Sequence, residues 1–358
     1  MKHISYIASL MLFFFVSCAP QEKPNDSVRQ GGFAKGADIS WLTEQESDGI
    51  VFYNQNNQAT DCFSLLKSCG MNAARFRVWV NHSTGWCNKE DLLEKAKRAD
   101  ALQMRLMIDF HYSDFFCDPS HQEIPEAWKD YDINQMCEAV SAHTLDVLQS
   151  LQAIGITPEW VQVGNETTNG MLWPMGMLWD NNGDLQDGWK RYVALSNSGY
   201  DAVKRVFPAA KVVIHIDNAW EDRLWWYKKF AANGGKFDII GLSHYPQTNS
   251  QKSWSEMNTL CAKHVDQLAQ TFNVPVIIAE VGTKSANPSL AAQVMTDFVN
   301  KVCPSGNCAG VFYWEPQVYN GWKPAEYNAL GWGPYDMGAF LSDGQPAEAL
   351  KLLFSVTR

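Results

Sequence analysis

The sequence predicts a single (β/α)8 barrel. Eight short apolar runs alternate with longer amphipathic stretches from residue 33 to the C-terminus, polar residues end those runs with great regularity, and the longest interruptions all follow a run.

The barrel is expected over 33–358. Met1, Lys2 and His3 precede the apolar run Ile4 to Val16, which ends at Ser17-Cys18, so residues 1–17 read as an export signal too short to span a bilayer. The small residue before Cys18 and the polar stretch from Gln21 to Ser27 resemble a lipoprotein cleavage site with a flexible tether over 18–32, although Phe15 stands where leucine is usual. Lipid on Cys18 would place the protein in the cell envelope, at the outer membrane or cell surface. Ordinary cleavage with loss of Cys18 is the alternative.

The runs, rich in β-branched and aromatic residues, are Phe33 to Ser40, Ala73 to Trp79, Arg105 to His111, Trp160 to Glu166, Lys211 to Asp217, Phe237 to Tyr245, Val274 to Glu280 and Ala309 to Glu315. Each reads as a buried parallel strand. Helical periodicity covers 58–69, 89–102, 134–154, 186–206, 221–233, 253–272, 288–302 and 345–356. Asn134, Ser253 and Asn287-Pro288 are cap-like helix starts, and Gly70, Gly155 and Gly234-Gly235 stand where helices should stop. The long loops after the third, fourth and eighth strands, 112–133, 167–185 and 316–344, should wall the active face. A doubly wound open sheet is the alternative, but Gly36-Ala-Asp-Ile-Ser-Trp41 is not the glycine-rich phosphate turn it would want.

A net charge of −10 and a pI near 5.3 argue against nucleic acid, whose phosphates demand clustered Lys and Arg. Fifteen Trp, 12 Tyr and 18 Phe favour a carbohydrate cleft, since flat apolar rings stack on sugar faces, though any single Trp is more safely read as packing. Of the eight cysteines after Cys18, Cys303 and Cys308 enclose a turn tight enough for a local bridge, whereas Cys62 and Cys69 are two helical turns apart. No CxxC pair or His/Cys cluster suggests zinc.

The strand ends read Asp38, Arg77 with Trp79, His111, Asn165-Glu166, Asp217, His244-Tyr245, Glu280 and Trp314. Singly, several have structural explanations, such as a capping aspartate or a satisfied core histidine; jointly they point to a site. Glu166 and Glu280 end the fourth and seventh runs, which lie across the opening of an eight-strand barrel, so two carboxylates can face one bond. Glycoside hydrolysis needs such a pair, and a gap of about 5 to 5.5 Å gives retention of configuration.

Five segments carry a resemblance: Gly36 to Ser40, Arg75-Phe-Arg-Val-Trp-Val-Asn81, Asp109-Phe-His-Tyr-Ser-Asp114, Gln162-Val-Gly-Asn-Glu166 and Gly310-Val-Phe-Tyr-Trp-Glu-Pro316. With Ile278-Ala-Glu280 they resemble glycoside hydrolase family 53 over residues 33–340. That resemblance implies a retaining endo-β-1,4-galactanase acting on galactan and type I arabinogalactan, with Glu166 as acid/base and Glu280 as nucleophile. It implies that Arg77 steadies the ionised nucleophile, that Asn165 bonds the sugar 2-hydroxyl, and that His111, Asp217, His244 and Tyr245 line the cleft with Asp38. Trp314 would floor the cleaved sugar's subsite, with Trp79, Trp86 and Trp322 at neighbouring ones.

No organic cofactor is implied, and a monomer is expected. Some bacterial members hold calcium with Asp-rich segments after the seventh strand; Val281 to Pro288 here lacks carboxylates, so no site of that kind is expected, though Asp336 in the eighth loop could serve another. The competing readings are a surface glycan-binding lipoprotein and another β-1,4-glycanase of the same clan.

Overall fold

The computed structural model describes Met1, residues 31–324, Tyr327, Gly333 and residues 335–357; the export signal, Cys18 and most of the tether lie outside the described residues. The barrel strands are β1 (Ala34–Asp38), β2 (Ala73–Val78), β3 (Arg105–Phe110), β4 (Trp160–Val163), β5 (Lys211–Ile216), β6 (Ile239–His244), β7 (Val276–Val281) and β8 (Cys308–Trp314). They close in the order β1-β8-β7-β6-β5-β4-β3-β2, every neighbouring pair parallel. All eight coincide with the apolar runs.

Strand alternation sorts the side chains into layers. Ala34, Ala73, Met107, Trp160, Val213 and Ile239 pack inside the barrel, while Ala74, Phe76, Ile108, Val161, Ile214 and Leu242 face the helices. Room inside is short: a Cβ on Gly36 would lie 2.2 Å from Cδ1 of Phe312. This apolar plug fills the floor and leaves the upper inward positions to polar side chains.

The outer ring comprises α1 (Leu42–Ser47), α2 (Cys62–Ser68), α3 (Lys89–Ala101), α4 (Ile133–Ala153), α5 (Gly188–Val206), α6 (Leu224–Ala232), α7 (Trp254–Phe272), α8 (Pro288–Val302) and α9 (Glu348–Phe354). In α5 the buried Tyr192, Leu195, Ser196, Gly199, Val203 and Val206 recur at helical spacing. Gly199 lets that helix approach β4, since a Cβ there would lie 2.7 Å from Cγ1 of Val163. Ser253 and Asn287 cap α7 and α8 as expected. Asn134 does not cap α4: Asp132 does, accepting from the amides of Asn134 and Gln135 at 2.9 Å while the Gln135 side chain accepts from Asp132 N. That reciprocal pair satisfies more of the open amides than Asn134 alone could. Gly70, Gly155 and Gly234 have φ of 105°, 78° and 83°, the left-handed conformation that stops helices.

Two features were not anticipated. Helix α1 follows β1 directly, and the loop after β4 folds into two short antiparallel ladders, Gly170–Met171 with Gly176–Met177 and Trp179–Asp180 with Gly183–Asp184. Cys62 and Cys69 sit at opposite ends of α2, and Cys303 and Cys308 flank a turn closed by Cys308 N donating to Ser305 O at 3.2 Å.

Candidate active site

A cavity of about 180 Å³ opens at the C-terminal end of the strands, with Glu166 and Glu280 both in its wall. Asn165, His111, Tyr245 and Trp314 share that wall, joined by Phe116, Cys117, Asp118 and Tyr327 from the loops.

Two backbone irregularities aim the carboxylates. Along β7, Ile277 and Ala279 point inward, so strict alternation would send Glu280 out toward the helices. Instead the register shifts: Ile278 pairs with Val311 and Val281 with Tyr313, three steps opposite two, and the bulge turns Glu280 back inside. Glu166 lies beyond the end of β4 with φ of 46°, after Gly164 at φ 80°. A non-glycine residue in the left-handed region is strained, and such strain gathers at functional sites.

Beneath the cavity Arg75 is the hub. Its buried guanidinium reaches Asp38 Oδ2 at 2.8 Å, Asp109 Oδ2 at 2.8 Å and Glu280 Oε1 at 2.9 Å, and it donates to Gln162 Oε1 and Asn165 Oδ1. Tyr245 holds the other Glu280 oxygen, its hydroxyl donating to Oε2 at 2.8 Å. Arg77 does not steady the nucleophile: it lies two residues higher on the same inward face and pairs with Glu315 at 2.6 Å. Its guanidinium is boxed by the rings of Phe116, Trp41, Trp79 and Trp314 at 4.8 to 6.0 Å, which braces the aromatic wall from behind.

Other expected residues are also displaced. His244 points outward, bonding Asn258 on α7 at 2.8 Å and stacking on Phe298 of α8, because its odd register on β6 puts it on the helix face. Asp38 is wholly buried below the cavity, where its carboxylate holds Arg75 and the Ser40 hydroxyl. Trp79 is buried behind Phe116, and neither Trp86 nor Trp322 lines the cavity; the Trp322 indole donates to Asp48 at 2.8 Å beside a separate surface hollow. Asp217 sits just outside the cavity wall, taken up by Thr168 at 2.6 Å and Arg223 at 2.7 Å. Trp314 is where it was expected, held edge-on by Trp41 and Tyr335 at 5.1 and 4.9 Å.

The residues that sequence reasoning missed share a signal. Arg75, Asp109, His215 and Ser243 each precede a named strand-end residue by two positions and so share its inward face. Phe116, Asp118 and Tyr327 come from loops, where no periodicity marks them.

The two carboxyls have opposite surroundings. Burial pushes Glu166 well above the ordinary carboxylate range, and the negative charges of Glu280 and Asp217 push it further. Burial also raises Glu280, but Arg75 and Tyr245 pull against it. Glu280 therefore ionises first and Glu166 keeps the proton, the division of labour that acid-assisted cleavage requires.

Stability should show this. Because Glu166 has a raised folded pKa, the stability linked to its protonation is full below the ordinary carboxylate range and is lost as pH rises through the folded value. Glu166→Gln is therefore expected to raise the melting temperature at pH 7 and to leave it nearly unchanged near pH 4; calorimetry at both values checks this. Equal effects at the two pH values would contradict it.

In the 281–288 loop Ser285 donates to the main-chain carbonyl of Asp336 through both its amide and its hydroxyl, and among the described residues no group of three Asp, Glu, His or Cys side chains is arranged as a metal-ligand set.

Fold and site together define a glycoside hydrolase of the (β/α)8 type, with paired carboxylates on the fourth and seventh strands. A family model for Glycosyl hydrolase family 53 matches residues 34–353, and the chain belongs to that family. It is 31% identical over 307 residues to an arabinogalactan endo-beta-1,4-galactanase of Thermothelomyces thermophilus, covering 79% of this chain and 89% of the other. An arabinogalactan endo-beta-1,4-galactanase of Cellvibrio japonicus is 33% identical over 313 residues, covering 79% and 80%. A solved structure from work on two fungal beta-1,4-galactanases superposes with a TM-score of 0.76 at 29% identity, covering 90% of this chain and 98% of the other.

Proposed function

We propose that this protein is a retaining endo-β-1,4-galactanase that cleaves galactan and the galactan backbone of type I arabinogalactan. The observation that carries this reading is the pair Glu166 and Glu280 in one cavity wall, one buried beside the carboxylates of Glu280 and Asp217 and the other held by Arg75 and Tyr245. The names of the relatives support the choice of substrate.

In the first step the ionised Glu280 attacks the anomeric carbon as the bond to the leaving oxygen breaks and Glu166 gives that oxygen its proton. A galactosyl ester on Glu280 results. In the second, Glu166, now a carboxylate, takes a proton from water as the water oxygen attacks the same carbon and Glu280 departs. Arg75 and Tyr245 carry the charge that returns to Glu280. Asn165 Oδ1 is saturated by Arg75, Gln162 and His215, and one amide proton goes to Cys117 O, so its remaining N–H is the group free to bond a sugar hydroxyl. Trp314 offers its ring to the sugar face. All of this uses side chains alone, without an organic cofactor.

Export and a lipid tether on Cys18 belong to the same reading. They rest on the apolar run Ile4 to Val16, on Ser17-Cys18 and on the polar stretch that follows. A monomer suffices, because both carboxylates come from one chain.

Purified protein should release reducing oligosaccharides from potato galactan, with shortening of long chains preceding small products. Retention of galactan without cleavage would instead favour the glycan-binding reading, and cleavage of mannan or xylan in preference to galactan would favour another clan specificity.

A further inference from the structure

We propose that Gln122 is a positioning residue for Glu166: its side-chain amide latches the peptide group between Asn165 and Glu166 in the orientation that puts the Glu166 carboxyl in the cavity wall. The inference rests on the reading of Glu166 as the acid, and deepens it by naming a residue outside that wall which acts through the main chain.

Gln122 comes from the loop after β3 and is buried. Its Nε2 donates to the main-chain carbonyl of Asn165 at 2.8 Å and to that of Asp118 at 3.1 Å. Both partners are carbonyl oxygens, which only accept, so the amide orientation is determined: the nitrogen faces them and spends both its protons there. Oε1 has no hydrogen-bond partner among the described residues, so the hydrogen bonding of this side chain consists of those two bonds.

The Asn165 carbonyl belongs to the same planar peptide group as the Glu166 amide. Turning that group over changes ψ of Asn165 and φ of Glu166 together and leaves the flanking chain nearly in place. Glu166 has φ of 46°, a conformation that crowds a residue with a Cβ. Half a turn of the peptide group would take that φ to roughly −130°, inside the extended region. The relaxed turn is thus one flip away, and the flip swings Asn165 O off Gln122 Nε2. It also moves Glu166 N, and the direction of the Cα–Cβ bond moves with it, so the carboxyl loses its aim. Neighbouring main-chain bonds do not hold the flipping group: Gly164 N donates to Phe110 O at 3.0 Å, Thr167 N to His215 O at 2.9 Å and Thr168 N to Glu166 O at 2.8 Å, and none of these three involves it.

The latch is itself anchored. The Gln122 carbonyl accepts from Trp173 N at 2.7 Å, and Glu123 forms a parallel bridge with Trp173. On the other side Asn165 Nδ2 donates to Cys117 O at 2.8 Å, while Cys117 N donates to His111 Nδ1 at 2.9 Å. The loop after β3 therefore grips Asn165 by side chain and main chain alike, and the same Gln122 amide fixes Asp118, which lines the cavity.

Gln122→Met keeps the bulk and removes both donors. Proton delivery by Glu166 should then suffer while attack by Glu280 does not. On galactan kcat/KM should fall about ten- to a hundredfold, the scale of a misplaced catalytic group, with KM changed far less than kcat. On a dinitrophenyl β-galactobioside, whose leaving group needs little protonation, kcat/KM should fall less than about threefold. Equal losses on the two substrates, as a general loosening of the site would give, overturn the proposal, and so does unchanged activity on galactan. Should the variant fail to fold, Gln122→Asn, which keeps an amide but draws it back by one methylene, takes its place with the same split expected and the same two results against it. The wild type is measured first: inactivity on galactan sinks the functional reading, whereas an active wild type with an unselective variant sinks only the role of Gln122.

Discussion

Glu280→Ala is expected to lose at least about a thousandfold in kcat on galactan, the scale seen when a covalent nucleophile is removed, while circular dichroism and the melting transition stay near wild type. The fold survives because Arg75 still has Asp38 and Asp109 at 2.8 Å when the third carboxylate goes. The chemistry does not survive, since among the described residues of the cavity wall no other carboxylate is held by an arginine and a phenol as Glu280 is. Glu166 should also titrate lower in this variant, because one of the negative charges that raises it has gone. Glu166→Ala should behave differently, sparing aryl galactosides with very good leaving groups, which need little protonation.

Arg75→Met should damage both stability and activity. One buried cation compensates three carboxylates, and removing one partner of a buried ion pair costs about 3 to 5 kcal/mol. The sign with pH is fixed by Asp109, which burial works to raise but which Arg75 and His111 hold below the ordinary range. Such a group contributes stability above the ordinary carboxylate range that is lost as pH falls through its folded value. The variant's deficit in urea denaturation should therefore be large at pH 7 and smaller near pH 3. Its acid limb of activity should move up, because Glu280 has lost the cation that favours its ionised form. Arg77→Met tests the contrast: Arg77 pairs with Glu315, so its loss should weaken the aromatic wall and leave the acid limb where it was.

Arg75 and Arg77 also mark how far the sequence carries. Both stand on one face of β2, and alternation alone places both inside the barrel; which of the two reaches Glu280 depends on depth along the barrel axis, a three-dimensional quantity. Glu280 was legible as the end of an apolar run, but its inward aim depends on a bulge that alternation does not announce. His244 fell on the wrong side for the same kind of reason. A site assigned to a strand end carries an uncertainty of one residue, and one residue is the difference between cavity and helix face. The eight strands, by contrast, were plain, since a buried parallel strand writes itself as an apolar run. Asp132 shows the remaining limit: the cap of α4 was found two residues from its true place, because only the reciprocal bond with Gln135 distinguishes one polar residue near a helix start from the next.

The most direct test of the central claim is to trap the intermediate. An activated 2-deoxy-2-fluoro-β-galactoside should form an ester that turns over slowly, and mass spectrometry of the digested protein should place the added sugar on the peptide bearing Glu280. A label on another residue, or hydrolysis whose first-formed sugar is the α-anomer by proton NMR, would contradict the account.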